Sequence, residues 1–102
     1  MPSRATVLFP LAAFLLAAGP AEAAQPRSCR PTLAEYRALK HGIGYAEASA
    51  RLGCAGRREV ALTVGRSRRF TYSWRGRGSF GANFNLTFAN DRLTDKSQLG
   101  LR

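Results

Sequence analysis

The residues with reactive side chains are few and lie far apart along the chain. Cys29, Cys54 and His41 are the only cysteines and the only histidine. A closed zinc site needs four such ligands, and redox centres commonly use a C-x-x-C pair, so neither function is indicated. We predict a structural Cys29–Cys54 disulfide instead, with a redox or metal role as the alternative. A closed loop of about 25 residues would stabilise the fold by roughly 3 kcal/mol.

Two glutamates are candidates for acid–base chemistry, but helix capping explains them better. Thr32 and Glu35 have the spacing of a capping box, and Glu47 would lie in the first turn of a second helix. His41 follows a predicted helix end, where a cation is favoured. No nucleophile has a base in a recognisable frame. We therefore expect neither an enzyme nor a cofactor, and a small hydrolase is the least favoured hypothesis.

Residues 70–88, FTYSWRGRGSFGANFNLTF, combine aromatic side chains with arginines. This combination is typical of surfaces that stack single-stranded nucleic acid, and it is equally typical of one side of a buried hairpin. The GRGSFG segment within it loosely resembles a phosphate-binding loop. That segment lies between two predicted strands rather than between a strand and a helix, so phosphate binding is not indicated.

The N-terminal residues predict export. Arg4, a run of about 14 apolar residues and the Ala21-Glu22-Ala23 pattern are typical of a cleaved signal peptide, and the run is too short to span a membrane. We predict a signal peptide over residues 1–23, an extended leader over 24–31 and a single domain over 32–102. No lipid-attachment signal precedes Cys29, so we expect a periplasmic or secreted protein.

The net charge of +10 favours a negatively charged partner. The predicted signal peptide contains one basic and one acidic residue, so its removal leaves this charge unchanged. The alternative is a generic solvated basic surface, because the arginines are spread out and greatly outnumber the lysines.

The periodicity predicts two short helices followed by four strands. The first helix begins after Thr32 and ends with Gly42 as a left-handed residue, and the second covers about residues 45–52. From Glu59 the period changes to two, and Val60, Leu62 and Val64 share one side of the first strand. We predict an α+β fold in which both helices pack on one face of a four-stranded antiparallel sheet.

The last hairpin predicts a sheet with one apolar and one polar face. A turn at residues 90–91 places Phe88 opposite Leu93 and, with regular pairing, Leu86 opposite Asp95 and Phe84 opposite Ser97. The other face would then be polar, bordered by a flexible glycine-rich loop at residues 76–81. We predict that a partner docks on this face and loop tip: Arg69, Thr71, Ser73, Arg75, Arg77, Phe80, Asn83, Asn85, Lys96 and Gln98.

Several segments together resemble a known family. LKHGIGYAEASARLGC, YSW, GANFNLTFANDRL and TDKSQLGL resemble small exported bacterial proteins grouped with the β-lactamase inhibitor protein and the outer-membrane assembly lipoprotein BamE (SmpA/OmlA). The resemblance covers about residues 32–102. Matching positions serve as fold markers: Gly42, Tyr72, Trp74, Gly81, Phe88, Lys96, Gln98 and Gly100.

The resemblance implies a helix–loop–helix on an antiparallel sheet and a function in protein binding. This chain has one such domain where the inhibitor has two, and it lacks the lipid-bearing cysteine of BamE. We predict a non-catalytic interaction module whose partner is another envelope or secreted protein. The alternative is a binder of anionic surfaces, with lipid head groups favoured over nucleic acid. The sequence leaves the oligomeric state open.

Overall fold

The computed structural model describes residues 29–102, so the predicted signal peptide and most of the leader lie outside the described residues. The elements in chain order are α1 (Leu33–Arg37), α2 (Tyr45–Leu52), β1 (Arg57–Val64), β2 (Ser67–Arg75), β3 (Gly78–Ala89) and β4 (Arg92–Leu101). The strands form one antiparallel sheet in the order β1-β2-β3-β4. The predicted α+β class, with two short helices and a four-stranded sheet, is confirmed. Within residues 29–102, no helix is long and apolar enough to cross a membrane.

Local capping signals determine where α1 begins and where α2 ends. The Thr32 side chain accepts a hydrogen bond from the Glu35 amide, and the Glu35 carboxylate accepts one from the Thr32 amide, which confirms the capping box. α1 ends at Arg37, so the prediction that Gly42 ends it was wrong. Gly42 instead lies in the helix connection with φ 96°. The bounds predicted for α2 are confirmed, and it ends at left-handed Gly53.

One buried cluster contains side chains from both helices and from the sheet. We call the sheet side that contributes Trp74, Phe84, Leu86 and Phe88 the core face, and the opposite side the open face. The Tyr36 ring of α1 meets the Phe84 ring edge-on at 5.4 Å between centroids. Burial of side chains this large stabilises the fold by about 1.5–3 kcal/mol each.

A disulfide between Cys29 and Cys54 ties the N-terminal segment to the end of α2, as predicted. The Trp74 indole donates a hydrogen bond to the Cys54 carbonyl at 3.1 Å. On the other side of the segment, the Arg77 amide donates to the Pro31 carbonyl at 2.8 Å. The disulfide therefore fixes residues 29–31, which contact both the core and the β2–β3 connection.

The β2–β3 connection is shorter than predicted. β2 ends at Arg75 and β3 begins at Gly78, so the expected flexible loop over residues 76–81 is mostly strand. Gly78 pairs with Leu101 of β4. A Cβ atom at Gly100 would collide with the Ser79 side chain, and Gly100 has φ 74°, so this crossing favours glycine. The fold marker Gly81, at φ 79°, lies where the β3–β4 pairing shifts.

The β3–β4 register departs from the prediction after its second pair. Ala89 pairs with Arg92 and Phe88 with Leu93, as predicted, but a bulge at Thr94 then shifts the pairing. As a result Leu86 lies opposite Lys96 and Phe84 opposite Gln98, rather than opposite Asp95 and Ser97. A shift of one residue exchanges the two faces of a strand. The predicted faces of β4 beyond Thr94 were therefore wrong.

The β1 strand places its apolar side chains on the open face. Val60 pairs with Thr71, Leu62 with Arg69 and Val64 with Ser67, after a bulge next to Glu59. Their exposed fractions are 49%, 52% and 54%. The expectation of a wholly polar second face is therefore wrong at this edge of the sheet.

Candidate functional site

The two central strands bring six of the predicted docking residues together on the open face. Antiparallel pairing places Ser73 opposite Asn85 and Arg75 opposite Asn83, since paired residues share a face. The set consists of Arg69, Thr71, Ser73, Arg75, Asn83 and Asn85. The pairing of β2 with β3 is regular throughout, so these six residues share one face of the sheet, as the alternation predicted.

Hydrogen bonds within the open face occupy its small hydroxyl groups. The Thr71 and Thr87 hydroxyls share a hydrogen bond of 2.8 Å, and the Ser73 hydroxyl donates to the Glu59 carboxylate at 2.6 Å. Arg69 and Arg75 are exposed and make no ion pair with any residue in the described part of the chain. The face thus presents pre-positioned polar groups with free guanidinium groups beside them.

Two shallow depressions adjoin this surface. A groove of about 550 Å³ runs along β1 and β2 and is lined in part by Val60, Thr71 and Asn85. A cleft of about 810 Å³ at the β2–β3 connection is lined in part by Arg75, Arg77 and Phe80. Phe80 is fully exposed. The structure therefore places the predicted loop-tip residues Arg77 and Phe80 next to the open face.

The predicted placement of Lys96 and Gln98 on the open face is wrong. The bulge at Thr94 turns both side chains towards the core face. The Lys96 ammonium donates hydrogen bonds to the carbonyl oxygens of Tyr36 and Leu39, at 3.0 and 2.9 Å. It also lies 4.7 Å from the centroid of the Tyr36 ring. The Gln98 side chain accepts a hydrogen bond from the Leu101 amide.

The hydrogen bonds of Lys96 stabilise the chain at the end of α1 and just after it. Carbonyl groups near a helix C-terminus lack intrahelical donors, and a lysine ammonium can satisfy them. Burial lowers the pKa of Lys96, and the nearby Lys40 ammonium lowers it further. The two hydrogen bonds nevertheless join β4 to α1 and to the segment that follows it.

Replacing Lys96 with methionine should lower the free energy of unfolding by about 1–3 kcal/mol, because it removes two charge-assisted hydrogen bonds. Methionine keeps most of the aliphatic length of lysine. Urea denaturation followed by circular dichroism would measure the change, with Lys40→Met as the matched control. If both variants lose equal stability, the hydrogen bonds of Lys96 contribute nothing beyond its positive charge.

Sequence reasoning missed the apolar members of the open face. Val60, Leu62 and Val64 lie along one margin, and Leu99, 69% exposed, lies opposite Asn83 on β4. For β1 a signal was available: a two-residue turn at 65–66 pairs Val64 with Ser67 and so places Leu62 beside Arg69. For Leu99 no such signal existed, because its face depends on the bulge.

The glutamates considered for acid–base chemistry have structural partners. Glu35 completes the α1 capping box, and Glu47 forms an ion pair with Arg51 at 2.9 Å. Across residues 29–102, no group of three or more His, Cys, Asp or Glu side chains is arranged to hold a metal ion. What the described residues assemble is a surface of hydrogen-bonding, cationic and apolar groups suited to contact with another molecule.

Comparison with known families identifies the fold. Residues 32–102 match the family profile described as Beta-lactamase inhibitor (BLIP). The chain belongs to the beta-lactamase inhibitor family. The match covers both helices and all four strands, so the open face of this BLIP-family chain lies wholly within it, whereas Cys29 precedes it. No curated protein matches the sequence. The predicted resemblance to the inhibitor is confirmed, and the resemblance to BamE stays a prediction.

Proposed function

We propose that the protein is an exported, non-catalytic interaction module that docks another envelope or secreted protein on its open face. The observation that carries the proposal is the composition of this face. Exposed Arg69 and Arg75 lie between an apolar margin on β1 and Leu99 on β4. Arginine next to exposed apolar groups is typical of protein interfaces, whereas an isolated exposed apolar residue is not.

The family match supports binding as the activity. The family is named for inhibition of β-lactamase, which an inhibitor achieves by contact with an enzyme rather than by a reaction of its own. A secreted or periplasmic enzyme is therefore a reasonable class of partner for this chain. The predicted signal peptide and the Cys29–Cys54 disulfide support the same compartment, because disulfides persist outside the cytosol.

The proposal takes the open face as the free side of the sheet because both helices cover the core face. The contacts that support this arrangement are aromatic. Tyr36 of α1 meets Phe84, and Tyr45 of α2 stacks on Tyr72 at 4.0 Å and meets Phe88 edge-on. With the core face occupied in this way, the open face remains for a partner.

The second candidate is an anionic-surface binder, favoured by the net charge of +10 and by the arginines of the β2–β3 cleft. Such binding depends on the total charge and weakens as salt screens it, whereas a docked interface depends on where the charges lie. Two charge-reversal variants with identical net charge can therefore separate the two functions.

The test compares Arg69→Glu/Arg75→Glu on the open face with Arg37→Glu/Lys40→Glu on and beside α1. Partners are cross-linked in the intact envelope and quantified, and binding to phosphatidylglycerol vesicles is measured in parallel. We expect the open-face variant to lose about tenfold or more of its cross-linked partner while the control keeps it. Equal losses for both variants would favour charge-driven surface binding, and full retention by both would exclude the open face as the docking site.

A further inference from the structure

The two edges of the sheet differ in how they are protected against pairing with a further strand. On the β4 edge, the Leu93 amide donates to the Ile43 carbonyl and the Leu93 carbonyl accepts from the Gly42 amide, both at 2.8 Å. The bulge at Thr94 and the charged residues after it protect this edge further. β1 forms the opposite edge, and no strand within residues 29–102 pairs with its outer side. The helix connection thus covers part of one edge, and the other remains open.

Over residues 60–64, the open edge of β1 lacks the features that normally prevent strand addition. Natural edge strands are interrupted by charged residues, proline or bulges. Residues 60–64, VALTV, contain no charge, proline or glycine over five consecutive positions. The bulge of β1 lies just before them, next to Glu59, so the pairing of residues 60–64 with β2 is regular. All five are exposed.

We propose that an extended segment of an acidic partner protein adds to β1 as a fifth strand of this sheet. Its main chain would bond to the free amide and carbonyl groups of residues 60–64. Alternate apolar side chains of the segment would pack beside Val60, Leu62 and Val64, since side chains on one sheet face repeat every second residue. Main-chain bonds supply affinity in this mode, and side-chain contacts supply specificity.

The positive charges at both ends of β1 favour an acidic segment. Arg57 and Arg58 lie at one end of β1, and Arg66 and Arg68 lie just beyond the other. The only acidic residue of β1, Glu59, accepts a hydrogen bond from Ser73 at 2.6 Å and lies 3.9 Å from Arg57. A strand with apolar residues at its centre and aspartate or glutamate at both ends matches this pattern, and opposite charges across strands are stabilising.

A second copy of the chain fits this edge less well. Antiparallel self-pairing centred on Leu62 would place Val60 opposite Val64 and would match the apolar side chains. The same register places Arg58 opposite Arg66 at both ends, and each copy is strongly basic. Like charges directly opposite each other are destabilising. The partner is therefore a different protein of acidic character.

The inference goes beyond the open-face proposal and can fail independently of it. The open face recognises side chains through arginines and amides, whereas the β1 edge recognises a main chain. The apolar margin of Val60, Leu62 and Val64 belongs to both surfaces. A test of the edge must therefore detect main-chain hydrogen bonds directly.

The probe is the capped peptide DEVTITVED, added to the full chain while amide hydrogen exchange is followed by NMR. We expect about tenfold slower exchange at the outward-pointing amides of residues 60–64 and little change in β4. Two control peptides carry the same central residues. One is N-methylated at alternate amides to remove its donors, and the other has lysine in place of every acidic residue, and both should bind at least about tenfold more weakly.

The matched variants are Leu62→Asn on β1 and Leu99→Asn on β4, which each replace one apolar side chain of the open face without changing the net charge. We expect Leu62→Asn to weaken peptide binding about tenfold and Leu99→Asn to leave it within about twofold. The proposal is overturned if the N-methylated peptide binds as well as the parent, or if exchange slows equally in both edge strands. It is also overturned if the wild type dimerises through β1 and the peptide cannot compete, because a second copy then occupies the edge.

Discussion

Replacing Trp74 with alanine is expected to lower the free energy of unfolding by about 3–5 kcal/mol, because it empties a large, fully packed site. The side chain is 1% exposed and stacks on Phe84 at 5.3 Å between ring centroids. Its indole also donates to the Cys54 carbonyl at 3.1 Å. Truncation would remove both the packing and the hydrogen bond, in a domain whose whole stability is about 5–15 kcal/mol.

The control is Phe80→Ala, because Phe80 lies on the neighbouring strand and is fully exposed. Urea denaturation of both variants, followed by circular dichroism, should show a change of at most about 0.5 kcal/mol for Phe80→Ala. A third variant, Trp74→Phe, keeps an aromatic ring but leaves the Cys54 carbonyl without its donor. Similar stability for Trp74→Ala and Phe80→Ala would contradict the burial of Trp74 and would restore the hypothesis of an aromatic stacking surface.

The alternation in residues 70–88 distinguishes a hairpin core from a nucleic-acid surface. Trp74, Phe84 and Phe88 are buried on the core face, while Thr71 and Asn85 alternate with them on the open face. Phe70 is an intermediate case. Its ring is partly buried, and the guanidinium groups of Arg58 and Arg68 each lie 5.6 Å from its centroid. The arginines near this ring therefore have an internal partner.

Features encoded by neighbouring residues could be predicted from the sequence. The capping box of α1, the bounds of α2 and the turn at residues 90–91 each depend on signals a few positions apart. Asn90 and Asp91 have φ values of 50° and 60°, as a tight hairpin turn requires. The disulfide could also be predicted, because only two cysteines are present. These signals were sufficient for the fold class and for the placement of β2 against β3.

Features that depend on distant residues could not be predicted. The bulge at Thr94 adds one residue to β4, and it allows Lys96 to reach Tyr36 in the last turn of α1. Similarly, the Asp91 carboxylate in the last hairpin accepts a hydrogen bond from the Tyr45 amide at 3.0 Å, at the start of α2. Gly44, the residue before α2, has no side chain to provide such a cap. Local patterns carry no information about either contact.

The candidate site shows the same difference between features set by neighbouring residues and features set by distant ones. The β2 and β3 residues were placed correctly because their register is regular, whereas Lys96 and Gln98 were misplaced by one bulge. The apolar stripe of β1 was found by periodicity but was not assigned to the open face. Because these side chains lie on the open face, that face is partly apolar rather than only polar and basic. A mixed surface of this kind favours a protein partner over an anionic surface such as a lipid membrane.

The double replacement Cys29→Ala/Cys54→Ala is expected to lower the free energy of unfolding by about 3 kcal/mol, because the unfolded chain regains the entropy of a 25-residue loop. This loss of stability should not be uniform across the fold. Without the disulfide, residues 29–31 are held by the burial of Pro31 and by the hydrogen bond from the Arg77 amide to the Pro31 carbonyl. The cleft beside Arg77 and Phe80 should therefore open more often than the β2–β3 pairing.

Urea denaturation would measure the overall loss, and amide hydrogen exchange would locate it. We expect the Arg77 amide to exchange faster than the global loss of stability alone would cause. The Leu86 amide, in the centre of β3, should show only the increase that this global loss causes. The control is Ser49→Ala on α2, which leaves the disulfide intact. An unfolding free energy within about 0.5 kcal/mol of the wild type would contradict a stabilising disulfide. A uniform increase in exchange would show that the disulfide stabilises the whole fold without specifically holding the cleft at the β2–β3 connection in place.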